Sequence, residues 1–446
     1  MRRSTTGVAA LSIVAAFLAV TPLQVSAAEV DPPESGSPAL SADGRWLAFI
    51  STSSDLLGGN GENDTNGVAD AFLLDMQTGT IRLVSSPSSG GSANGPTTEV
   101  DVSGDGRYVA FASEATNLLT ADANGVASDV FVLDTQTDVL SLASRRGAAG
   151  VQGNALSRGV SISDDGSTVA YISYATNLVG GDANNQPDAF VRDLVATSTT
   201  LVSTDPKGKQ SSAATLKAAI SGNGSIVAFQ NTAGLVRQDT NGRRDVYVKT
   251  LATDKTQLVS FTNGEKPGNL DSTLADLSRT GRFVVFTSNA YNLVTGDTNH
   301  VADAFIRDRT AGTTVRVSRR GSTEANGPSY EVAISPDGAY VTFSTEATNL
   351  GGVETDENGT ALDMFEFEVA TKILRRVALD TTGGWANGDT FDPTYGSPSV
   401  IAFTSWATDL AASDADVDAD VYTRRYTENR DQAGTTTHRS VPAPTA

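Results

Sequence analysis

The chain has 446 residues and carries 32 Lys and Arg side chains against 52 Asp and Glu, a net charge of −20 at neutral pH. Nucleic-acid binding needs a basic surface, so this balance argues against nucleic acid as a partner. There is no cysteine, which excludes disulfides and thiolate metal sites, and His300 and His438 are the only histidines.

Residues 1–27 have the features of an export signal. A basic start at Arg2 and Arg3 precedes an apolar run at 8–20, and small residues suited to signal-peptidase cleavage end at Ala27. The run is shorter than the roughly 20 residues that span a bilayer. An uncleaved N-terminal anchor is the alternative. We therefore predict a secreted or otherwise extracytoplasmic protein with no transmembrane segment after signal cleavage.

A unit of roughly 60 residues recurs seven times along the rest of the chain. Each unit has a turn glycine, then an apolar run with an aromatic residue, then an aspartate two residues before a second aromatic. The turn glycines are Gly44, Gly106, Gly166, Gly224, Gly281, Gly338 and Gly396. Each unit has the pattern of four short strands, which we label a to d, and none contains a long amphipathic helix.

Repeats of four strands at this period are typical of propeller blades. We therefore predict an all-β protein, a seven-bladed β-propeller of four-stranded antiparallel blades over residues 28–426. The blades start near residues 38, 99, 159, 217, 274, 331 and 390. The aromatics of strands b and c are expected to form the core between blades.

Closure of the ring has two alternatives. The fourth strand of the seventh blade is either 435–441 or the N-terminal segment 28–31, and the N-terminal segment is preferred because a blade of mixed termini removes open edges. The remainder of the tail, 427–446, contains Pro442 and Pro444 and is typical of disorder.

The repeat resembles a known family. A Ser-x-Asp-Gly turn, an apolar run and an Asp-Val-Phe-type strand are similar to the TolB-type, WD-like β-propeller repeat. The clearest copies are SADGRWLAF at 41–49, SGDGRYVAF at 103–111 and SPDGAYVTF at 335–343. The resemblance covers about residues 36–426 and implies the propeller fold. It implies no single function, because scaffolds, receptors and enzyme appendages share the repeat.

The two faces of such a propeller differ. The a–b and c–d turns lie on one face and are tight, whereas the b–c and d–a loops lie on the other and are long. Each b–c loop repeats aspartate, asparagine and aspartate around a turn. The triplets are Asp64/Asn66/Asp70, Asp122/Asn124/Asp129, Asp182/Asn184/Asp188, Asp239/Asn241/Asp245, Asp297/Asn299/Asp303, Asp356/Asn358/Asp363 and Asp414/Asp416/Asp420.

Two interpretations of these triplets are open. Carboxylate and amide oxygens at this spacing resemble part of a calcium loop, although calcium takes six to eight oxygens and backbone carbonyls would have to supply the rest. Alternatively, the first two residues form Asx turns and the last aspartate caps strand c. Calcium is the only cofactor that the sequence indicates.

The d–a loops contain Asn-Gly pairs at Asn94, Asn326 and Asn387, which predict turns with positive φ. Trp385 lies beside one of them, and Trp406 begins a b–c loop. Large apolar side chains are uncommon in exposed loops. Trp385, Trp406 and Asn387 are therefore candidate ligand-binding residues that would stack on a sugar ring or a peptide side chain. Packing of Trp385 beneath its loop is the alternative.

No catalytic residue is assigned. His300 lies in one b–c loop of seven and His438 lies in the tail, so neither has the partners of a catalytic triad. The sequence favours a non-enzymatic binding or scaffold protein whose acidic, loop-rich face recognises a protein or a cell-envelope polymer. The alternative is a secreted carboxylate-dependent glycoside hydrolase or polysaccharide lyase, with its site at the channel mouth on the same face.

Overall fold

The computed structural model describes residues 35–57, 64–119, 122–148, 150–352, 356–412, 414, 418–426, 430 and 434–439. These residues form seven antiparallel sheets of four strands, and no helix occurs among them. The predicted seven-bladed β-propeller is therefore confirmed. The described part of the chain contains no helix that is long and apolar enough to cross a membrane. The predicted export signal, 1–27, and the segment 28–31 lie outside the described residues.

Strands a to d of each blade follow one another in sequence. Blade 1 contains β1 (Ser35–Leu40), β2 (Trp46–Ser51), β3 (Asp70–Asp75) and β4 (Thr80–Leu83). Blade 2 contains β5 (Thr97–Val102), β6 (Tyr108–Ser113), β7 (Asp129–Asp134) and β8 (Val139–Leu142). Blade 3 contains β9 (Ser157–Ile162), β10 (Thr168–Ser173), β11 (Asp188–Asp193) and β12 (Ser198–Leu201). Blade 4 contains β13 (Thr215–Ile220), β14 (Ile226–Asn231), β15 (Asp245–Thr250) and β16 (Lys255–Leu258).

The remaining three blades have the same order. Blade 5 contains β17 (Ser272–Leu277), β18 (Phe283–Ser288), β19 (Asp303–Asp308) and β20 (Thr313–Arg316), and the short ribbon of β21 (Arg319–Arg320) and β22 (Thr323–Glu324) follows it. Blade 6 contains β23 (Ser329–Ile334), β24 (Tyr340–Thr345), β25 (Asp363–Glu368) and β26 (Leu374–Arg376). Blade 7 contains β27 (Thr390–Tyr395), β28 (Val400–Ser405), β29 (Asp420–Arg425) and β30 (Thr435–His438).

The fourth strand of blade 7 comes from the C-terminal end of the chain. β30 pairs with β29, with His438 opposite Tyr422. The prediction that residues 28–31 supply this strand is wrong, and the propeller extends beyond residue 426. The three consecutive threonines at 435–437 suit a strand, because threonine is β-branched.

Strands b and c form the centre of every blade because both faces of these strands are buried between neighbouring sheets. Phe49 of β2 lies opposite Phe72 of β3, and their ring centroids are 5.8 Å apart. The equivalent stacked pairs are Phe111–Phe131, Tyr171–Phe190, Phe229–Tyr247, Phe286–Phe305, Phe343–Phe365 and Phe403–Tyr422. All of these rings are buried, so the prediction that they form the core is confirmed.

Successive blades also meet at the turn glycines. Gly166 has a φ of +69°, and a Cβ built there would lie 2.0 Å from Cδ2 of Tyr108 in the preceding blade. The Trp46 ring covers Gly106 in the same way, and the Phe283 ring covers Gly338. The turn glycine is therefore needed both for its backbone conformation and for the contact between blades.

Blades 1 and 7 close the ring side by side, without exchanging strands. The Ser35 N–H donates to the Ala419 carbonyl at 3.0 Å. Leu47 of blade 1 belongs to the same buried cluster as Val400 and Val421 of blade 7. This junction is held by the kind of apolar contact found between other neighbouring blades.

Candidate binding face and central channel

The predicted triplets assemble separately in each blade, at the start of strand c. In blade 1, the Asn66 N–H donates to Asp64 Oδ1 at 3.3 Å, and Asn66 Nδ2 donates to Asp70 Oδ2 at 2.5 Å. Asn66 Oδ1 accepts from the Val68 N–H at 2.9 Å. In their own triplets, the last aspartate accepts the same hydrogen bond from Asn184, Asn241, Asn299 and Asn358. The Asx-turn interpretation accounts for these bonds.

The clusters do not converge on one shared site. Across the described ranges, no group of three or more His, Asp or Glu side chains is placed to hold a metal ion. Asp416 lies outside those ranges. Blades 1 to 6 therefore each present a cluster of two carboxylates and an amide, whereas the described part of the blade 7 cluster is Asp414 and Asp420. Calcium binding stays a prediction.

A serine after strand d completes each of the first five clusters. Ser85 Oγ donates to Asp70 Oδ1 at 2.5 Å and accepts from the Ala71 N–H at 2.9 Å. The equivalent pairs are Asp129–Ser144, Asp188–Ser203, Asp245–Ser260 and Asp303–Ser318. These serines were not predicted, although their constant position after the aspartate is visible in the sequence.

Burial governs the charge of these aspartates. Desolvation is the largest cause of the raised pKa of Asp70 and Asp129, to about 6, and of Asp245 and Asp363, to about 7. The serine hydroxyl opposes the shift for Asp70, since it donates to the ionised form. The clusters therefore hold carboxylates that are costly to keep ionised.

The strand-d residue opposite the strand-c aromatic differs among the blades. It is leucine in blades 1 to 4 and a basic residue in blades 5 to 7, namely Leu83, Leu142, Leu201, Leu258, Arg316, Arg376 and His438. Arg316 Nη1 lies 3.1 Å from Asp303 Oδ2, 3.5 Å from Asp297 Oδ1 and 2.8 Å from Glu324 Oε2. Arg316 therefore places a positive charge inside the blade 5 cluster.

His438 likewise pairs with an aspartate of the blade 7 cluster. Its Nε2 lies 2.9 Å from Asp420 Oδ1, and its ring stacks on Tyr422 with centroids 5.1 Å apart. His438 therefore belongs to a buried blade, and the prediction that it lies in a tail outside the propeller is wrong. His300 has a φ of +57° and contacts Tyr291 edge to face.

Neutral side chains donate hydrogen bonds to the clusters of blades 2, 3, 4 and 7. Gln152 Nε2 donates to Asp122 Oδ1, Asn124 Oδ1 and Asp129 Oδ2, and Gln210 Nε2 donates to Asp182 and Asp188. The hydroxyl of Tyr247 donates to Asp239, and that of Tyr422 donates to Asp414. The donors differ from blade to blade while the acceptors stay constant.

The d–a loops are fastened to the next b–c loop through their asparagines. Asn94 Oδ1 accepts from the Thr116 N–H at 2.7 Å, and the Asn94 N–H donates to Asn117 Oδ1 at 2.9 Å. The same pair of hydrogen bonds, which we call the asparagine ladder, recurs at Asn154, Asn326 and Asn387. On the other side, Asn66 Nδ2 donates to the Ala93 carbonyl at 2.9 Å, so the d–a loop is held from both neighbouring b–c loops.

The prediction that the Asn-Gly pairs adopt positive φ is wrong. None of Gly95, Gly327 and Gly388 has a positive φ. A Cβ built on Gly95 would lie 2.9 Å from the backbone of Glu114. Glycine is present here because two backbones approach closely, whereas the asparagine side chain joins two loops.

The two tryptophans have different environments. Trp385 is buried, contacts Phe365 edge to face and lies under the Arg376 guanidinium, so packing beneath the loop is the correct alternative. Trp406 is 39% exposed and packs against Phe391 with centroids 5.1 Å apart. Asn387 is exposed, but its amide is used in the loop ladder. Trp406 is thus the predicted stacking residue that a ligand can reach.

The central channel is lined by residues near the middle of the a strands. A cavity of about 500 Å³ is bounded by residues that include Glu99, Arg158, Lys217 and Asp392. Asp392 has a φ of +50°, and burial together with the charge of Glu331 raises its pKa to about 7. The Asp392 N–H donates to Glu331 Oε2 at 2.7 Å. Two adjacent carboxylates therefore face the channel from blades 6 and 7.

Comparisons of the fold were made with solved structures. No protein family model matches the sequence, and no curated protein sequence matches it. The β-propeller domain of the Trilobed protease from Pyrococcus furiosus is 9% identical, with a TM-score of 0.53, over 92% of this chain and 98% of that chain. An oligogalacturonate lyase in complex with manganese is 13% identical, with a TM-score of 0.52, over 89% and 92%. TolB from Acinetobacter baumannii is 12% identical, with a TM-score of 0.44, over 80% and 68%.

At these identities the similarity concerns the fold alone. The β-propeller fold predicted from the TolB-type repeat is confirmed at that level. The similar structures include the propeller domain of a protease, prolyl endopeptidases and a lyase, so function has to be argued from the residues of this chain.

Proposed function

We propose that this protein is an exported, non-enzymatic β-propeller that binds a protein or a cell-envelope polymer through its loop-rich face. The observation that carries the proposal is the asparagine ladder between consecutive d–a and b–c loops, as at Asn326, Thr348 and Asn349. Long loops that are already fixed lose little conformational entropy when a ligand binds. The face is therefore suited to recognition without rearrangement.

The chemistry of this face supports an extended ligand. Tyr174 and Trp406 directly follow strand b of blades 3 and 7, and Tyr291 lies in the b–c loop of blade 5. All three rings are 39% to 48% exposed. Exposed aromatic rings next to asparagine and threonine side chains suit stacking on sugars or on peptide side chains. The aromatic positions lie in different blades, as expected for a ligand that crosses several of them.

Co-sedimentation with purified insoluble cell-wall polymer tests this proposal. The variant Tyr291→Ala/Trp406→Ala should bind at least tenfold more weakly than the unaltered protein. The matched control is Val139→Ala/Val195→Ala. Both valines are exposed on the opposite face, since Val139 begins strand d of blade 2 and Val195 lies in the c–d turn of blade 3. Equal binding by all three proteins, or equal loss in both variants, would contradict polymer recognition by this face. Cross-linking to purified envelope proteins then tests the protein-partner form.

The enzymatic alternative is favoured by one observation. Asp392, whose pKa is raised by burial and by the charge of Glu331, lies beside Glu331 at the channel, and glycoside hydrolysis requires a pair of carboxyl groups. The test is whether the purified protein hydrolyses acidic polysaccharides or cleaves them by elimination. Activity that Asp392→Asn abolishes, and that Asp205→Asn on an exposed loop leaves unchanged, would favour the enzymatic alternative over the binding proposal.

A further inference from the structure

The blade 1 cluster contains two buried carboxylates, and leucine occupies the strand-d position at which blade 5 has a basic residue. Asp64 is 4% exposed and Asp70 is fully buried. Both oxygens of Asp70 accept hydrogen bonds, from Ser85 and Asn66. Asp64 Oδ1 accepts the Asn66 N–H, but Asp64 Oδ2 is buried and has no hydrogen-bond partner among the described residues. A buried, ionised oxygen without a partner is costly, so a positively charged ligand at this place would be strongly favoured.

The unpartnered oxygen belongs to a carboxylate next to Asp70. Asn66 joins the two side chains, since its N–H donates to Asp64 Oδ1 and its Nδ2 donates to Asp70 Oδ2. Two carboxylates this close repel each other when both are ionised, and a cation between them removes that repulsion.

Blade 5 contains such a cation as part of the chain. Asp297 and Asp303 occupy the places of Asp64 and Asp70, and Arg316 Nη1 lies between them. Arg316 stands opposite Phe305 just as Leu83 stands opposite Phe72. Blade 1 thus keeps the pair of carboxylates and has an apolar side chain where blade 5 has its guanidinium.

The remaining clusters receive other donors from outside their own loops, in addition to the strand-d serine. These donors are Gln152 in blade 2, Gln210 in blade 3, Tyr247 in blade 4, and Tyr422 and His438 in blade 7. In blade 6, the charge of Arg376 favours the ionised form of Asp363. Asp356 Oδ2 and Asp363 Oδ2 of blade 6 also lack a hydrogen-bond partner among the described residues, but they have the charge of Arg376 nearby. In blade 1, the Ser92 hydroxyl accepts the Thr65 N–H at 3.2 Å, and no described ion pair includes Asp64 or Asp70.

We propose that blade 1 binds one divalent cation of the calcium class between Asp64 and Asp70, and that Arg316 takes the place of this ion in blade 5. Carboxylate oxygens are the ligands that calcium prefers. The Ala93 carbonyl, which accepts from Asn66 in the cluster, is a third oxygen at the site, and water would complete the coordination. With two charged ligands, the expected affinity is that of extracellular calcium modules, on the order of 10⁻⁴ to 10⁻³ M.

This inference narrows the seven-loop calcium prediction to one blade and does not rest on the proposed binding function. Equilibrium dialysis of chelator-treated protein against calcium should give one site per chain. Asp64→Asn should weaken binding at least tenfold, and Asp122→Asn should leave it unchanged because Gln152 already fills the blade 2 cluster. Magnesium should compete poorly, since it requires a more regular octahedron of ligands.

Two substitutions that exchange the strand-d residues of blades 1 and 5 test the role of Arg316. Leu83→Arg should abolish calcium binding, and Arg316→Leu should add a second site at Asp297, Asp303 and Glu324. Melts in excess chelator establish that each variant is folded, and Asp64→Asn decides the matter if Leu83→Arg does not fold. Absence of binding by the unaltered protein, several equivalent sites, or equal loss in Asp64→Asn and Asp122→Asn would overturn the proposal.

Discussion

Arg430 pairs with the buried carboxylate of Glu366 at the junction of blades 6 and 7. Its guanidinium lies between two rings, 3.6 Å from the centroid of Tyr340 and 4.4 Å from that of Tyr426. The Tyr395 hydroxyl donates to the same Glu366 oxygen at 2.7 Å. Because Arg430 comes from the connection between β29 and β30, this contact fastens the last part of the propeller to the preceding blade.

We expect Arg430→Met to lower the free energy of unfolding by about 3–5 kcal/mol, since it leaves an unpaired charge in the interior. Glu366→Val in the same protein should restore most of that loss, because the equivalent position holds Leu73, Val132, Val191, Val248 and Ile306 in blades 1 to 5. Urea unfolding of the single and double variants measures both effects. If the double variant is as unstable as the single one, the ion pair is not the source of the stability.

The contact between a turn glycine and the preceding blade predicts a difference between two glycines of the same conformation. Gly166 and Gly125 have φ values of +69° and +70°, but only Gly166 lies against a side chain, the Tyr108 ring. Alanine at Gly125 should cost about 1–2 kcal/mol through its left-handed backbone. Alanine at Gly166 should cost about 1–3 kcal/mol more, because the ring must move. Equal losses in denaturant unfolding would exclude the contact as a cause.

The carboxyl groups of the a strands predict an unusual pH dependence. Burial raises the pKa of Asp101 to about 7 and that of Asp276 to about 6, although each accepts two backbone N–H groups. In the unfolded chain an aspartate titrates near 3.9. Between about pH 4 and 7 the native state therefore binds more protons than the unfolded state, and stability falls as the pH rises.

We expect the free energy of unfolding, measured in chelator, to be larger at pH 5 than at pH 7.5. Asp101→Asn should reduce this slope. Asp75→Asn should not, because the pKa of Asp75 is lowered to about 2 by Arg45 and its titration lies below this range. A free energy of unfolding that rises with pH from 5 to 7.5 would contradict the raised pKa of Asp101 and Asp276.

The loop ladder predicts local protection from hydrogen exchange. The Thr348 N–H donates to Asn326 Oδ1 at 2.9 Å, and Asn326→Ala removes this acceptor. Exchange at Thr348 should accelerate at least tenfold, while exchange at Thr116, bound in the same way to Asn94, should be unchanged. Hydrogen exchange with mass spectrometry measures both peptides in one sample. Acceleration at both places would indicate general loosening of the face.

The repeat in the sequence was sufficient to predict the fold, since its turn glycines and aromatic pairs determine both the fold of each blade and its packing against the next blade. The positions of the triplets were predictable for the same reason. Their partners were not, because Arg316, Gln152 and His438 do not recur at the same place in every repeat unit. The burial of Trp385 likewise depends on Phe365 and Arg376, which come from other strands.

Each of the seven sheets is made from one uninterrupted stretch of chain, and none combines strands from the two ends. A circular permutant with new termini in any d–a connection therefore keeps every sheet whole. For the same reason, a tandem duplication of one unit of roughly 60 residues would enter the ring as a complete extra blade, without a change in the way that the first and last sheets meet.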